Sequence, residues 1–318
     1  MSELVLTGID GANPLGFFAA LGVLRVLDER ARAAGTARPR LGWRDDGVWR
    51  PLVVGVNALA EVVGAVMEDL ATWADEPALQ IAYVKGDESG EGVAPDAPGA
   101  VQDLKPSVRH QRRLFEEAAR RAAAGEGRMA RMMAAFGTEV AVANNGRIKP
   151  SALHFTAGQQ HFLKMVNSLR AGVTAEDLER ALVGPWTYES ELPSLSWTGT
   201  GARMWALRAS DPSKEKRGSC PGAEWLSFVG MSFFVCAPRG ARVNTTGVLG
   251  GWKDSALTWP LWGDAAPASV VASLLTTPNL QKMRAHERQA RAIAVVFSAE
   301  IARADPGGAG SFSPARLV

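Results

Sequence analysis

The sequence predicts an α+β fold. Three observations carry this. Apolar residues at helical spacing alternate with short strand-like runs over the first eighty residues, Asp46-Gly47 stands between two such runs as a hairpin turn, and a comparable series follows in the C-terminal half. With 318 residues, 47% of them hydrophobic and 21% charged, the chain has a globular composition and holds one large or two small domains.

Leu4 to Thr7 reads as the first strand. Asn13-Pro14 starts a helix, because Asn accepts from a first-turn N–H and proline at the first position lacks a donor that would go unpaired. That helix continues to about Ala34, with Leu15, Phe18, Leu21 and Val26 spaced for an apolar face. Strands around Arg40–Trp43 and Val48–Leu52 flank the Asp46-Gly47 turn, a second helix spans about Val56 to Trp73, and Leu79 to Val84 is a further strand. The order βαββαβ is that of a ferredoxin-like module, placed at residues 1–102.

Lys85 to Val101, rich in Gly, Pro and acids, reads as a mobile loop. Ser107 to Phe136 is a long basic helical stretch weakened near Gly125 and Gly127, and Asn144-Asn145-Gly146 is a turn. A helix ends near Arg170, another starts at Thr174 with Glu176 and Asp177 suited to its first turn, and Trp186 to Gly201 is irregular and aromatic. Residues 103–200 therefore form a mainly helical insertion.

The C-terminal half offers a strand (Met204–Ala209), a helix (Ala223–Met231), a strand pair (Phe233–Ala237 and Arg242–Val248), a helix (Ala268–Leu275) and a strand (Ile293–Phe297). Thr258–Trp262 and the basic segment Lys282–Arg291 are inserted into this order. Residues 201–304 thus form a second α+β module, a second split βαβ unit without clear sequence repetition, and the Gly- and Ser-rich residues 305–318 a disordered tail.

Net charge is only +2, so total charge implies no blanket affinity for nucleic acid. Its distribution is uneven. Residues 61–103 hold ten acids and one base, a net of −9, and residues 104–150 hold ten bases and four acids, a net of +6. The expectation is two faces with different partners, the acidic one toward solvent or a basic neighbour. Cys220 and Cys236, the only cysteines, form neither a CxxC pair nor a disulfide framework, and read as reduced packing residues. The N-terminus lacks the regions of a signal peptide and no apolar run spans a bilayer, so a cytoplasmic protein without membrane contact is expected.

Cations gather where the run Met204–Ala209 stops at Asp211-Pro212 and Pro221-Gly222 starts an apolar helix. Lys214, Lys216 and Arg217 occupy that loop, and Arg203, Arg208 and Lys253 extend its charge. Beside a helix N-terminus, whose unpaired N–H groups and dipole favour anions, they would hold phosphates. Arg109, Arg112 and Arg113, followed by Arg120 and Arg121, form a second strip at roughly helical spacing. Gln159, Gln160 and Lys164 can reach base edges or phosphates, and Trp252 can stack on an unpaired base while most of the ten tryptophans fill the core. Asn244-Thr245-Thr246-Gly247 through Gly250-Gly251 is a small-residue stretch whose N–H groups can approach a phosphate, without P-loop order. Solvated charge, helix starts and core packing are the plainer readings of the same residues.

No nucleophile elbow, HExxH, paired-aspartate metal motif or Walker motif is present, and no cofactor or metal is expected. His154 and His161 stand seven residues apart, too far for a compact metal pair. A histidine can deprotonate a ribose 2′-hydroxyl and cleave RNA without metal, but packing or capping accounts for both more simply.

Gly8 to Arg25 (Gly-Ile-Asp-Gly-Ala-Asn-Pro-Leu-Gly-Phe-Phe-Ala-Ala-Leu-Gly-Val-Leu-Arg), Leu153 to Leu163 (Leu-His-Phe-Thr-Ala-Gly-Gln-Gln-His-Phe-Leu), Leu207 to Lys214 (Leu-Arg-Ala-Ser-Asp-Pro-Ser-Lys) and Leu257-Thr258-Trp259-Pro260-Leu261-Trp262 together resemble a CRISPR-associated family of type I-U (I-G) systems. The resemblance is spread over about residues 4 to 275 and rests on the ordered combination of blocks. It implies a non-catalytic subunit or accessory of an RNA-guided surveillance complex, similar to a large subunit, with guide RNA or target DNA and other effector subunits as partners and no small-molecule substrate. In such complexes base pairing supplies sequence specificity, while protein contacts read backbone and shape. Two alternatives stay open: a metal-independent guide-RNA-processing endoribonuclease using His154 or His161, and a protein–protein adaptor within the complex.

Overall fold

A computed structural model describes residues 2–86, 89–199, 218–251, 254–303 and 309–318. β1 (Glu3–Val5) leads into α1 (Pro14–Ala34), where Asn13 Oδ1 accepts from the Leu15 N–H at 3.1 Å and Pro14 takes the first helical position. β2 (Arg40–Asp45) and β3 (Trp49–Val54) form the expected hairpin, and β1 joins it antiparallel to β3, giving the order β1-β3-β2. α2 (Leu59–Ala71) follows.

The strand expected over Leu79–Val84 does not join this sheet. Pro77–Leu79 is a single 3₁₀ turn, and only β4 (Tyr83–Val84) is extended, paired with β5 (Ala100–Val101) in a separate two-stranded ribbon. Proline at the start of a 3₁₀ turn fixes that bend and leaves two residues for pairing. The loop between them therefore begins and ends on a ladder.

The basic stretch is two helices, α3 (Val108–Ala123) and α4 (Arg128–Phe136), interrupted at the two glycines. β6 (Gly137–Val142) and β7 (Ile148–Pro150) enclose the Asn144-Asn145-Gly146 turn, where Gly146 takes φ 73°. α5 (Phe162–Gly172) precedes α6 (Ala175–Val183), whose Thr174–Asp177 capping box satisfies its first turn. The apolar α7 (Pro221–Gly230) is buried along its whole length.

β8 (Cys236–Arg239) and β9 (Arg242–Thr245) form a ribbon, followed by β10 (Val248–Leu249) and β11 (Ala256–Trp262). α8 (Ala268–Leu275), α9 (Ala285–Gln289), β12 (Ile293–Arg303), β13 (Gly310–Phe312) and β14 (Arg316–Leu317) complete the chain. The second large sheet runs β10-β11-β12-β13, with β14 also on β12. The segment taken as an insertion, Thr258–Trp262, is thus central to that sheet, paired along β12 from Ala256 to Trp262. The end expected to be disordered also pairs with β12, because Phe312 is fully buried and fixes the register. The strand expected over Met204–Ala209 lies outside the described residues.

The fold is α+β, and its segments share one core. Buried side chains from Leu6 to Phe312 form a continuous cluster, so the N- and C-terminal stretches read as separate modules pack on the same interior. α1 and α7 cross closely at its centre: a Cβ on Gly22 would lie 1.9 Å from the Leu226 carbonyl oxygen, and one on Gly230 2.0 Å from that of Phe18. The two larger sheets are tied through tryptophans, with Trp259 Nε1 donating to the Gly11 carbonyl at 2.9 Å and Trp262 Nε1 to that of Leu41 at 2.6 Å. No helix among the described residues is long and apolar enough to cross a membrane.

Candidate nucleic-acid interface

Two β-ribbons build the site. β6–β7 turns through residues 143–147, and β8–β9 turns tightly through Gly240-Ala241, with Gly240 at φ 57°. The Lys149 ammonium donates to the Ala241 carbonyl at 2.7 Å and so ties one ribbon to the tip of the other. At their base, Thr245 Oγ1 accepts from the Ala152 N–H at 2.9 Å and lies 3.2 Å from Ser151 Oγ. Their separation is therefore fixed at both ends.

A cavity of about 610 Å³ lies between these ribbons, the chain entering β11 and the end of β12, within the size range of ligand pockets. Lys105, Arg147, Lys149, Arg239, Arg242 and Arg303 line it, and no Asp or Glu among the described residues does. Ile148, Pro150, Val243 and Val248 supply apolar wall. Arg147 donates to the carbonyls of Lys105 (3.2 Å) and Val84 (3.3 Å) and lies 4.4 Å from the Tyr83 ring centroid. Burial, then the nearby Asp103, push the Tyr83 phenol up, so it stays neutral beneath that guanidinium. Arg303 donates to the Ala152 carbonyl at 2.8 Å, and burial pushes it down to about 10, still cationic at neutral pH. Arg239 and Arg242 stand exposed on the ribbon tip.

Arg147, Lys149, Arg239 and Arg242 have no carboxylate partner among the described residues, while Lys105 faces the Asp103 carboxylate. Like charges gathered without counter-charges repel, and the mutual repulsion falls when an anion enters. The arrangement can therefore hold phosphates.

His154 forms part of the cavity lining and is itself buried. Its Nε2 lies 2.7 Å from Asp103 Oδ1 and 2.9 Å from Thr156 Oγ1. Burial alone would raise the Asp103 carboxyl, but the hydrogen bond and charge of His154, with Lys105 and the Leu104 N–H, hold it below its ordinary value. Asp103 Oδ1 also accepts from the Phe162 N–H at 3.3 Å, anchoring the start of α5. A nucleophile–histidine–carboxylate relay uses opposite ring nitrogens. Here hydroxyl and carboxylate meet the same one, which suits packing rather than proton transfer. His161 precedes α5, half-buried and outside the cavity lining, and burial lowers its pKa despite Asp103.

Lys214, Lys216, Arg217, Arg203, Arg208, Lys253 and Trp252 lie outside the described residues. Arg109 and Arg113 do not form an open strip, since both pair with Glu91 (2.9 Å for Arg109), while Arg112 is exposed. Arg120 and Arg121 both pair with Glu117. The acidic segment is thus partly matched in cis, because Asp69 likewise binds Arg128 at 2.5 Å. Gln159, Gln160 and Lys164 are exposed around the start of α5 and do not line the cavity. In the small-residue stretch, the Thr246 N–H donates to Val235 and the Gly251 N–H to Asp254 Oδ1, so both are occupied within the fold.

Sequence reasoning passed over the ribbon cations. It read Asn144-Asn145-Gly146 as turn chemistry and Arg242 as a strand start, although each turn is bracketed by cations: Arg147 and Lys149 after one, Arg239 and Arg242 around the other. Two hairpin turns so marked were the available signal. Both cysteines are buried, and burial pushes their thiols up, Cys220 to about 11. Among the described residues no three His, Cys, Asp or Glu side chains gather to hold a metal ion. No family model matches the chain, and no curated protein matches it.

Proposed function

We propose that the chain is a non-catalytic nucleic-acid-binding subunit whose two-ribbon cavity grips the sugar-phosphate backbone. The observation that carries this reading is a cavity lined, among the described residues, by six Lys and Arg side chains and no carboxylate, beside an exposed Arg239-Gly240-Ala241-Arg242 tip. Phosphate contacts position a protein on nucleic acid without specifying sequence. That role matches what the sequence resemblance implies: a cytoplasmic component of a type I-U/I-G CRISPR effector, touching guide RNA or target DNA beside other subunits. In this reading the β1-β3-β2 sheet with α1 and α2 is a ferredoxin-like module whose fourth strand has left the sheet.

The test is the salt dependence of binding. A labelled oligonucleotide is titrated by anisotropy against the natural chain and the Arg239→Ala/Arg242→Ala variant at several ionic strengths. Each phosphate contact contributes about 0.7 (single strand) to 0.9 (duplex) to the slope of log K against log salt. The double variant is expected to bind more weakly, with a slope shallower by roughly 1.4 to 1.8. Unchanged affinity and slope overturn the assignment.

A further inference from the structure

We infer that the cavity accepts an unpaired base, so that its ligand is single-stranded nucleic acid with at least one nucleotide turned inward between the ribbons. This rests on the phosphate-binding reading above and adds what lies beyond the backbone.

The wall chemistry carries it. Phosphate capture requires cations, and the exposed Arg239 and Arg242 provide them at the tip. It does not require Ile148, Pro150, Val243 and Val248, which line the same concavity and are buried or half-buried. A base has two apolar faces and a polar edge, and suits a space bounded by aliphatic side chains and guanidinium planes. A duplex keeps those faces stacked and offers a protein only its grooves and backbone, so a base enters such a concavity only after leaving the stack.

A second observation is independent of the charge. Ser255 belongs to the cavity lining and is buried at 6% exposure, and its Oγ has no hydrogen-bond partner among the described residues. Buried hydroxyls are normally satisfied, so the Ser255 hydroxyl beside the cavity calls for a partner, which a base edge entering there can supply once the side chain turns toward it. Asn244, on the same lining, is exposed and offers a further donor and acceptor for a base edge. Cations for the phosphate, aliphatic wall for the faces and a hydroxyl for the edge together match a nucleotide unit of a strand.

The experiment compares five probes by anisotropy and competition: a single strand of about 12 nucleotides, its duplex, the same strand with abasic sites, AMP and heparin. The expected result is binding of the strand roughly tenfold or more tighter than of its abasic counterpart, the range of one stacked base, with the duplex also weaker. Ser255→Ala is expected to weaken the strand severalfold and to leave heparin binding unchanged, because it removes no charge. Equal affinity for strand, abasic strand and duplex, with Ser255→Ala silent, overturns the inference while leaving the Arg239/Arg242 dependence of the function intact. AMP competing at concentrations comparable to the strand would make a free nucleotide the ligand and overturn the strand. Binding of no probe, heparin included, removes both readings together.

Discussion

Asp103 shows how single groups hold the floor of the site. Its carboxylate meets His154 Nε2 at 2.7 Å and accepts from the Phe162 N–H, so one side chain joins the cavity lining to α5. Its folded pKa is depressed, so its contribution to stability is fully present above the ordinary carboxylate value, about 3.9, and is lost as pH falls through the folded value. Asp103→Asn is expected to cost about 2 kcal/mol at neutral pH, as loss of a buried charged hydrogen bond does. Below pH 4 the variant's stability should fall less steeply than that of the natural chain. Urea unfolding across this range checks it, and parallel pH profiles would refute the role assigned to the carboxylate. Nothing in the local sequence pairs Asp103 with His154, because the partners are fifty-one positions apart and meet only through the tertiary fold.

At the scale of elements, the contact between α1 and α7 is set by two glycines facing backbone. Gly22→Ala gains helix propensity of about 1 kcal/mol, yet it places a methyl 1.9 Å from a carbonyl oxygen in a packed interior. The clash outweighs the propensity, and a loss of about 3 kcal/mol is expected. Gly64→Ala on α2, where a Cβ meets nothing within 4 Å, should instead gain about 0.5–1 kcal/mol. Denaturant midpoints of the two variants moving in opposite directions would verify the crossing, and a neutral Gly22→Ala would contradict it.

The same scale shows what the sequence could reveal. α1 was legible because Asn13-Pro14 caps it locally, the β2–β3 hairpin because Asp46-Gly47 forms its turn, and α6 because its capping box is local. β11 was not, since a strand buried on both faces loses the alternation that marks strands, and its six consecutive buried residues read as an insertion. The ribbon cavity was illegible for a related reason. Its cations come from four separate stretches, and neither turn carries enough charge alone to stand out.

For the whole molecule, one core running from Leu6 to Phe312 implies one cooperative unit rather than separable modules. Tryptophan fluorescence and far-UV circular dichroism are expected to report coincident unfolding in urea. A fragment ending at residue 199 lacks α7, the buried partner of α1, and is expected not to fold cooperatively. Two resolved transitions, or a natively folded fragment, would count against the single core. The charge asymmetry belongs to this scale too: the excess of acids before residue 104 and of bases after it is partly resolved by pairing within the chain, as Asp69 with Arg128 and Glu91 with Arg109 show. Among the described residues, Arg147, Lys149, Arg239 and Arg242 at the cavity are left without such a pairing.

The pairing of β13 and β14 with β12 has a further consequence. A long bare strand would offer the N–H and C=O rail on which copies of a protein polymerise. Here the last residues cover that margin in two short lengths, with Pro314 between them supplying no donor. The molecule thereby seals its own sheet against runaway self-association.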